Sequence, residues 1–146
     1  MKQEVLITLR GTQAGEDGKP EAVELVTRGT MTGRNNRYAI SYEETELTGT
    51  PGVTSTFLIL NPRRVVLTRE GAIKSRMVFA EGIRDESLYD LGFGALLIGI
   101  TTRKIQVDLS DAGGTLFIDY TVEIEQAQTA HNTYTLTVEP VKGQEE

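Results

Sequence analysis

Residues 113–125 read GGTLFIDYTVEIE, and this stretch decides the fold. Leu116, Ile118, Tyr120, Val122 and Ile124 stand at alternate positions, with Asp119, Thr121 and Glu123 between them and Glu125 following. Successive side chains of an extended strand point to opposite faces, so this spacing gives one apolar face and one wet face. A helix would scatter the same residues around its axis. The preceding Asp111-Ala112-Gly113-Gly114 is a turn signal, because glycine adopts backbone angles that other residues avoid.

The period of two recurs on both sides. Val5, Ile7 and Leu9 alternate with Thr8 and Arg10, then Val23, Leu25 and Val26 lie in a segment interrupted by Gly29. A glycine inside a strand marks a bulge or a close backbone approach. Asn35-Asn36 separates that segment from Tyr38, Ile40 and Tyr42, and asparagine tolerates the left-handed angles of tight hairpins. VTSTFLIL (residues 53–60) is a further strand, and residues 63–69 and 75–81 flank Glu70-Gly71 as a short pair. Asp85 to Tyr89 shows no apolar alternation and is expected to form a helical turn. Leu96, Ile98 and Ile100 are even-numbered whereas Ile105, Val107 and Leu109 are odd, which requires a bulge near residues 101–104. Tyr134, Leu136 and Val138 complete the last strand before Pro140.

The expectation is one all-β domain over residues 1–146, an antiparallel up-and-down barrel of about eight or nine strands, with a two-sheet sandwich as the alternative. Hydrophobic residues make up 38% and charged residues 25% of the 146, a globular balance for a single core. There is no cysteine, which removes disulfides, thiolate catalysis and sulfur-bound metals. The net charge of −6 argues against nucleic acid and anionic membrane surfaces as partners. No apolar run has the length of a signal peptide core near the N-terminus, and the most apolar stretch, residues 91–100, is shorter than the roughly 20 residues of a spanning helix. A cytoplasmic location is expected.

Few residues carry recognisable chemistry. His131 is the sole histidine and has no second histidine or cysteine with which to build a metal site, so a surface position is expected. Glu43-Glu44 and Asp85-Glu86 are adjacent pairs, and neighbours on a strand cannot act together as a local dyad. Gly92-Phe93-Gly94 and Gly113-Gly114 lack the lysine and helix of a phosphate loop, and Glu16-Asp17-Gly18 lacks the acidic ladder of a calcium loop. Arg69 shares parity with Val65 and Leu67, so it continues the buried face toward one end of its strand. There it either clamps an anionic ligand or pairs with a glutamate such as Glu43 or Glu81.

The succession Tyr38-x-Ile40-x-Tyr42-Glu43-Glu44, Arg69-x-Gly71, Arg76-x-x-Phe79-x-x-Gly82, Tyr89, Gly94 and Thr101-Thr102 resembles the YwiB-like family of small bacterial proteins. The resemblance spans nearly the whole chain and implies a calycin-like barrel with no established activity. It singles out Tyr42, Glu43, Arg69, Arg76, Phe79, Tyr89 and Gly94 for inspection. The apolar residues 96–100 depart from a polar lumen.

Two functions are therefore carried forward. The first is a barrel binding a small apolar or anionic ligand inside, through Tyr42, Glu43, Arg69, Arg76, Phe79 and Tyr89. The alternative is an interaction or homodimerisation module with a filled interior and a patch around Phe57, Leu58 and Leu60. An enzyme using Tyr42 or Glu43 beside Arg69 ranks third. No cofactor and no metal is expected.

Overall fold

The computed structural model describes residues 2–14, 20–44, 51–90, 93–125 and 128–141. They form ten strands: β1 (Lys2–Ala14), β2 (Pro20–Arg34), β3 (Arg37–Glu43), β4 (Thr54–Asn61), β5 (Arg64–Glu70), β6 (Lys74–Ala80), β7 (Arg84–Asp90), β8 (Ala95–Ser110), β9 (Gly113–Ile124) and β10 (Gln128–Pro140). Each pairs antiparallel with the next, and β10 returns to β1, so the sheet closes on itself. The all-β barrel class is as expected, with ten strands in place of eight or nine. The additional strand is β7, where a helical turn was expected. Asp85, Ser87 and Tyr89 turn inward and half-buried while Arg84, Glu86 and Leu88 are exposed, so the period of two is present but mostly polar. Continuous pairing with β8 from Arg84↔Thr101 to Asp90↔Ala95 holds it extended.

Inward rows from every strand fill the barrel. Val5, Ile7, Met31, Ile40, Phe57, Ile59, Val65, Leu67, Phe79, Ile100, Leu116, Ile118, Leu136 and Val138 are all buried in one cluster. The register of β8 shifts between Thr102 and Lys104, so that Ile98 and Ile100 before it and Ile105 after it all face inward. This is the expected bulge. Phe57 is interior, which removes it from any outer patch; Leu58 and Leu60 instead lie on the outer wall against Val66, Val78 and Ala80. No helix among the described residues is long and apolar enough to cross a membrane.

Two turns show why particular residues are needed. Asn35 and Asn36 both take positive φ, 55° and 63°, the left-handed pair that suits a two-residue hairpin. At Gly29 a Cβ would stand 2.3 Å from the Ser41 carbonyl oxygen and 2.6 Å from Ile7 Cδ1, so only glycine lets β2 and β3 approach there.

The wall is not uniform. β2 pairs with β1 from Pro20 to Thr32 but with β3 only from Thr30 to Arg34, so its first half leans away from β3. β6 and β7 pair only through Lys74↔Asp90 and Ser75↔Tyr89.

Candidate functional site

A cup of about 150 Å³ opens where β2 leaves β3. One wall is apolar, with Leu9, Val23, Leu25 and Phe57, and the other carries Tyr42, Glu44, Arg69 and Tyr134. Alternation places these groups. Tyr42 and Glu44 continue the inward row of Ile40, Arg69 continues that of Val65 and Leu67, and Tyr134 that of Leu136.

The polar wall is organised around one charge pair. Arg69 Nε lies 3.8 Å from Glu44 Oε2, with the two side chains only 17% and 8% exposed. That separation is too long for an N–H···O hydrogen bond, so the attraction is through space and the guanidinium keeps donors in hand. Ser55 Oγ donates to Glu44 Oε2 at 3.1 Å, and Arg69 Nη1 reaches Met77 Sδ at 3.8 Å. Burial works to lower the Arg69 pKa, but a hydrogen bond with Tyr134 and charge contact with Tyr134, Tyr89 and Glu44 outweigh it, and the side chain stays cationic. Burial, reinforced by the Glu44 charge, pushes the Tyr42 phenol up to about 12, against the opposing pull of Arg69. Burial likewise raises Tyr120, which sits beneath the cup against Tyr134 and Phe79, with ring centroids 5.6 and 4.8 Å away. Phe57 meets Tyr134 edge-on at 5.9 Å.

The structure thus brings together Tyr42 and Arg69, with Tyr89 close enough to act on the Arg69 charge. Phe79 belongs to the packed core below the cup. Glu43 and Arg76 are exposed on the outer wall, because each stands one step out of phase with the inward row of its strand. Arg69 pairs with a glutamate as one reading had it, but the partner is Glu44, and neither Glu43 nor Glu81. Glu44, Ser55, Tyr120 and Tyr134 complete the site without having been singled out. Parity with Ile40 and Tyr42 was the signal for Glu44, and parity with Leu136 the signal for Tyr134.

Other features are outside the cup. His131 lies on the outer wall, as expected, with Nε2 2.5 Å from Asp119 Oδ1, whose Oδ2 meets Arg103 Nη2 at 3.1 Å. A larger hollow of about 810 Å³ runs along the β2–β3 hairpin and β4, but it is an open groove over Thr32, Arg34, Tyr38, Leu58 and Leu60. Among the described residues no cluster of histidine and carboxylate side chains could hold a metal ion.

A ten-stranded antiparallel meander barrel, with a packed side-chain core and a small charged cup at one end, defines the class of protein. The chain belongs to the DUF1934 family, a domain of unknown function whose family model matches residues 7–136. It is similar to the uncharacterised β-barrel protein YwiB of Bacillus subtilis (strain 168), with 32% identity over 141 residues that cover 95% of this chain and 96% of that one. The crystal structure of the Bacillus subtilis YwiB protein superposes with a TM-score of 0.75 and 23% sequence identity, covering 97% of this chain and 94% of that chain. These likenesses carry the family and the barrel fold.

Proposed function

We propose that the barrel is a calycin-like cytoplasmic binder of a small acid that carries a hydrogen-bond donor next to its carboxylate, an amino acid or hydroxy acid with a short apolar chain. The observation that supports this is the division of the cup. Arg69 offers guanidinium N–H groups to a carboxylate, and Glu44 beside it repels a bare anion but accepts from an ammonium or hydroxyl. Leu9, Val23, Leu25 and Phe57 take the apolar chain. Size sets the limit, since a cavity of about 150 Å³ accommodates a benzene-sized group while drug-sized ligands need roughly 300 Å³ or more.

The test is an NMR titration of the labelled protein with valine, 2-hydroxyisovalerate and isovalerate. Valine or the hydroxy acid should move the amide signals of Tyr42, Phe57, Arg69 and Tyr134, and Arg69→Gln should weaken that binding by at least about tenfold, as loss of a charged hydrogen bond does. Isovalerate, which lacks the donor, should bind wild type poorly and the Glu44→Gln variant better. Absence of shifts at the cup with all three ligands at millimolar concentration would discard the proposal.

A further inference from the structure

We infer that the outer wall at the β2–β3 and β4–β5 turns is a docking surface for an extended acidic segment of a partner protein. The chain carries 21 acidic against 15 basic residues, yet residues 30–41 and 56–68 contain Arg34, Arg37, Arg63 and Arg64 and not one carboxylate. All four arginines are exposed, and among the described residues no carboxylate pairs with any of them. The two acids at this end of the barrel are engaged elsewhere. Glu81 Oε2 accepts from Ile105 N at 3.0 Å, and Asp111 Oδ1 accepts from the Tyr38 hydroxyl at 3.3 Å. The net charge of −6 repels an acidic partner only at range, because salt at physiological strength screens charges beyond about 8 Å and leaves the local arginines to decide at contact.

The register sets three of the arginines in a row with a leucine. Arg34 and Arg37 are partners across the β2–β3 turn, Arg37 stands one step past the Tyr38↔Ile59 pair and so beside Leu60, and Arg64 pairs with Asn61, the next residue of β4. Tyr38, Ile59 and Val65 face the core, so their neighbours Arg37, Leu60 and Arg64 turn outward, and Arg34 with its partner. Strands about 4.8 Å apart put Arg37 and Arg64 roughly 10 Å from each other with Leu60 between them. An extended segment faces a wall with every second side chain, about 6.6 Å apart. An acid, an apolar residue and an acid at alternate positions therefore meet Arg34 and Arg37, then Leu60, then Arg64, and the open groove of about 810 Å³ over Arg34, Arg37, Leu58 and Leu60 has room for such a segment. Other polyanions fit less well. Single-stranded nucleic acid stacks its bases on exposed rings, whereas Tyr38, Tyr42, Phe57 and Phe79 of these strands all pack toward the core. Leu58 and Leu60 are half-buried against Val66, Val78 and Ala80, a floor rather than a wedge that enters a bilayer.

Fluorescence anisotropy of a labelled peptide, EGESLSEGE, titrated with the full chain tests the surface, with circular dichroism melts to confirm the folding of each variant. Wild type should bind it with a dissociation constant below about 1 mM, and Arg37→Glu and Arg64→Glu should each weaken binding by at least about fivefold. Arg37→Gln and Arg64→Gln replace them where a reversed charge disturbs the fold, and should weaken binding by at least about twofold. Arg10→Glu makes the same change of charge at an exposed site on β1, outside the groove, and should stay within about twofold of wild type. The peptide EGESGSEGE, which lacks the leucine, should bind at least about threefold more weakly, and a uridine pentanucleotide, with the same number of negative charges, should bind more weakly than EGESLSEGE. No binding by wild type at about 1 mM, arginine variants that bind as wild type does, or a loss in Arg10→Glu as large as in Arg37→Glu would each overturn the inference. So would equal binding of the peptide without leucine, or tighter binding of the pentanucleotide, which would make this a nucleic-acid surface.

Discussion

Tyr42 shows how one residue at the cup ties function to stability. Its hydroxyl is held above the usual phenol range because burial and Glu44 penalise the phenolate. In the unfolded chain the phenol loses its proton near pH 10, whereas the folded protein holds it to about 12. The folded state is thus favoured below pH 10, and that contribution, on the order of 2 kcal/mol, is lost as the pH rises through the folded value. Tyr120 acts in the same direction. Denaturant unfolding at pH 8, 10 and 12 should show the decline, and Tyr42→Phe should flatten it; an unchanged slope in that variant would rule Tyr42 out as its cause. Arg69 was legible at this scale because it stands in phase with Val65 and Leu67 on a short strand. Glu44 carries the same signal, standing in phase with Ile40 and Tyr42, but Glu43 beside it has the same chemistry and only that parity tells them apart.

Among the elements, β6 and β7 form the least secured part of the wall. They share only the pairs at Lys74 and Ser75, and the chain is tied again past β6, where Ile83 N donates to the Ala80 carbonyl at 2.9 Å. Between those points the facing backbone groups of β6 and β7 lack the ladder that protects other strands. At the two ends of this slit stand Ser75, in the last β6–β7 pair, and Thr102, whose backbone bonds to Gly82 and Ile83, and both hydroxyls are buried with no hydrogen-bond partner. Hydrogen exchange should find the slit-side amides of residues 76–79 and 85–88 exchanging at least about a hundredfold faster than those of the β8–β9 ladder. Equal protection would mean the wall is continuous there. The same pair of strands explains why sequence reading failed for β7. Its two faces are both polar, so tertiary pairing with β8 decides its conformation, whereas the parity change from Ile100 to Ile105 announced the bulge in β8 without help from any partner.

At the scale of the whole molecule, the barrel closes where β1 meets β10 in an unbroken register from Val5↔Pro140 to Ala14↔His131. Thr12 and Thr133 hydrogen-bond across it, and Val141 N donates to the Glu4 carbonyl at 3.2 Å beyond its end. The alternation in each strand made a barrel readable, but nothing in a single strand says which two edges meet, because that depends on the summed twist and tilt of them all. Every other seam joins strands adjacent in sequence and can form while the chain is still being synthesised. This one cannot. A growing chain can curl β1 to β9 into an open sheet, yet β1 and β9 both present bare edges until the last residues of β10 leave the ribosome. Deleting residues 128–146 should therefore give a protein that aggregates, and a separate peptide of residues 128–141 added during refolding should recover soluble barrel; a soluble, folded truncation would show that closure is dispensable. The interval between making the ninth strand and the tenth is thus the moment in the protein's life when it is most exposed to association with the wrong partner.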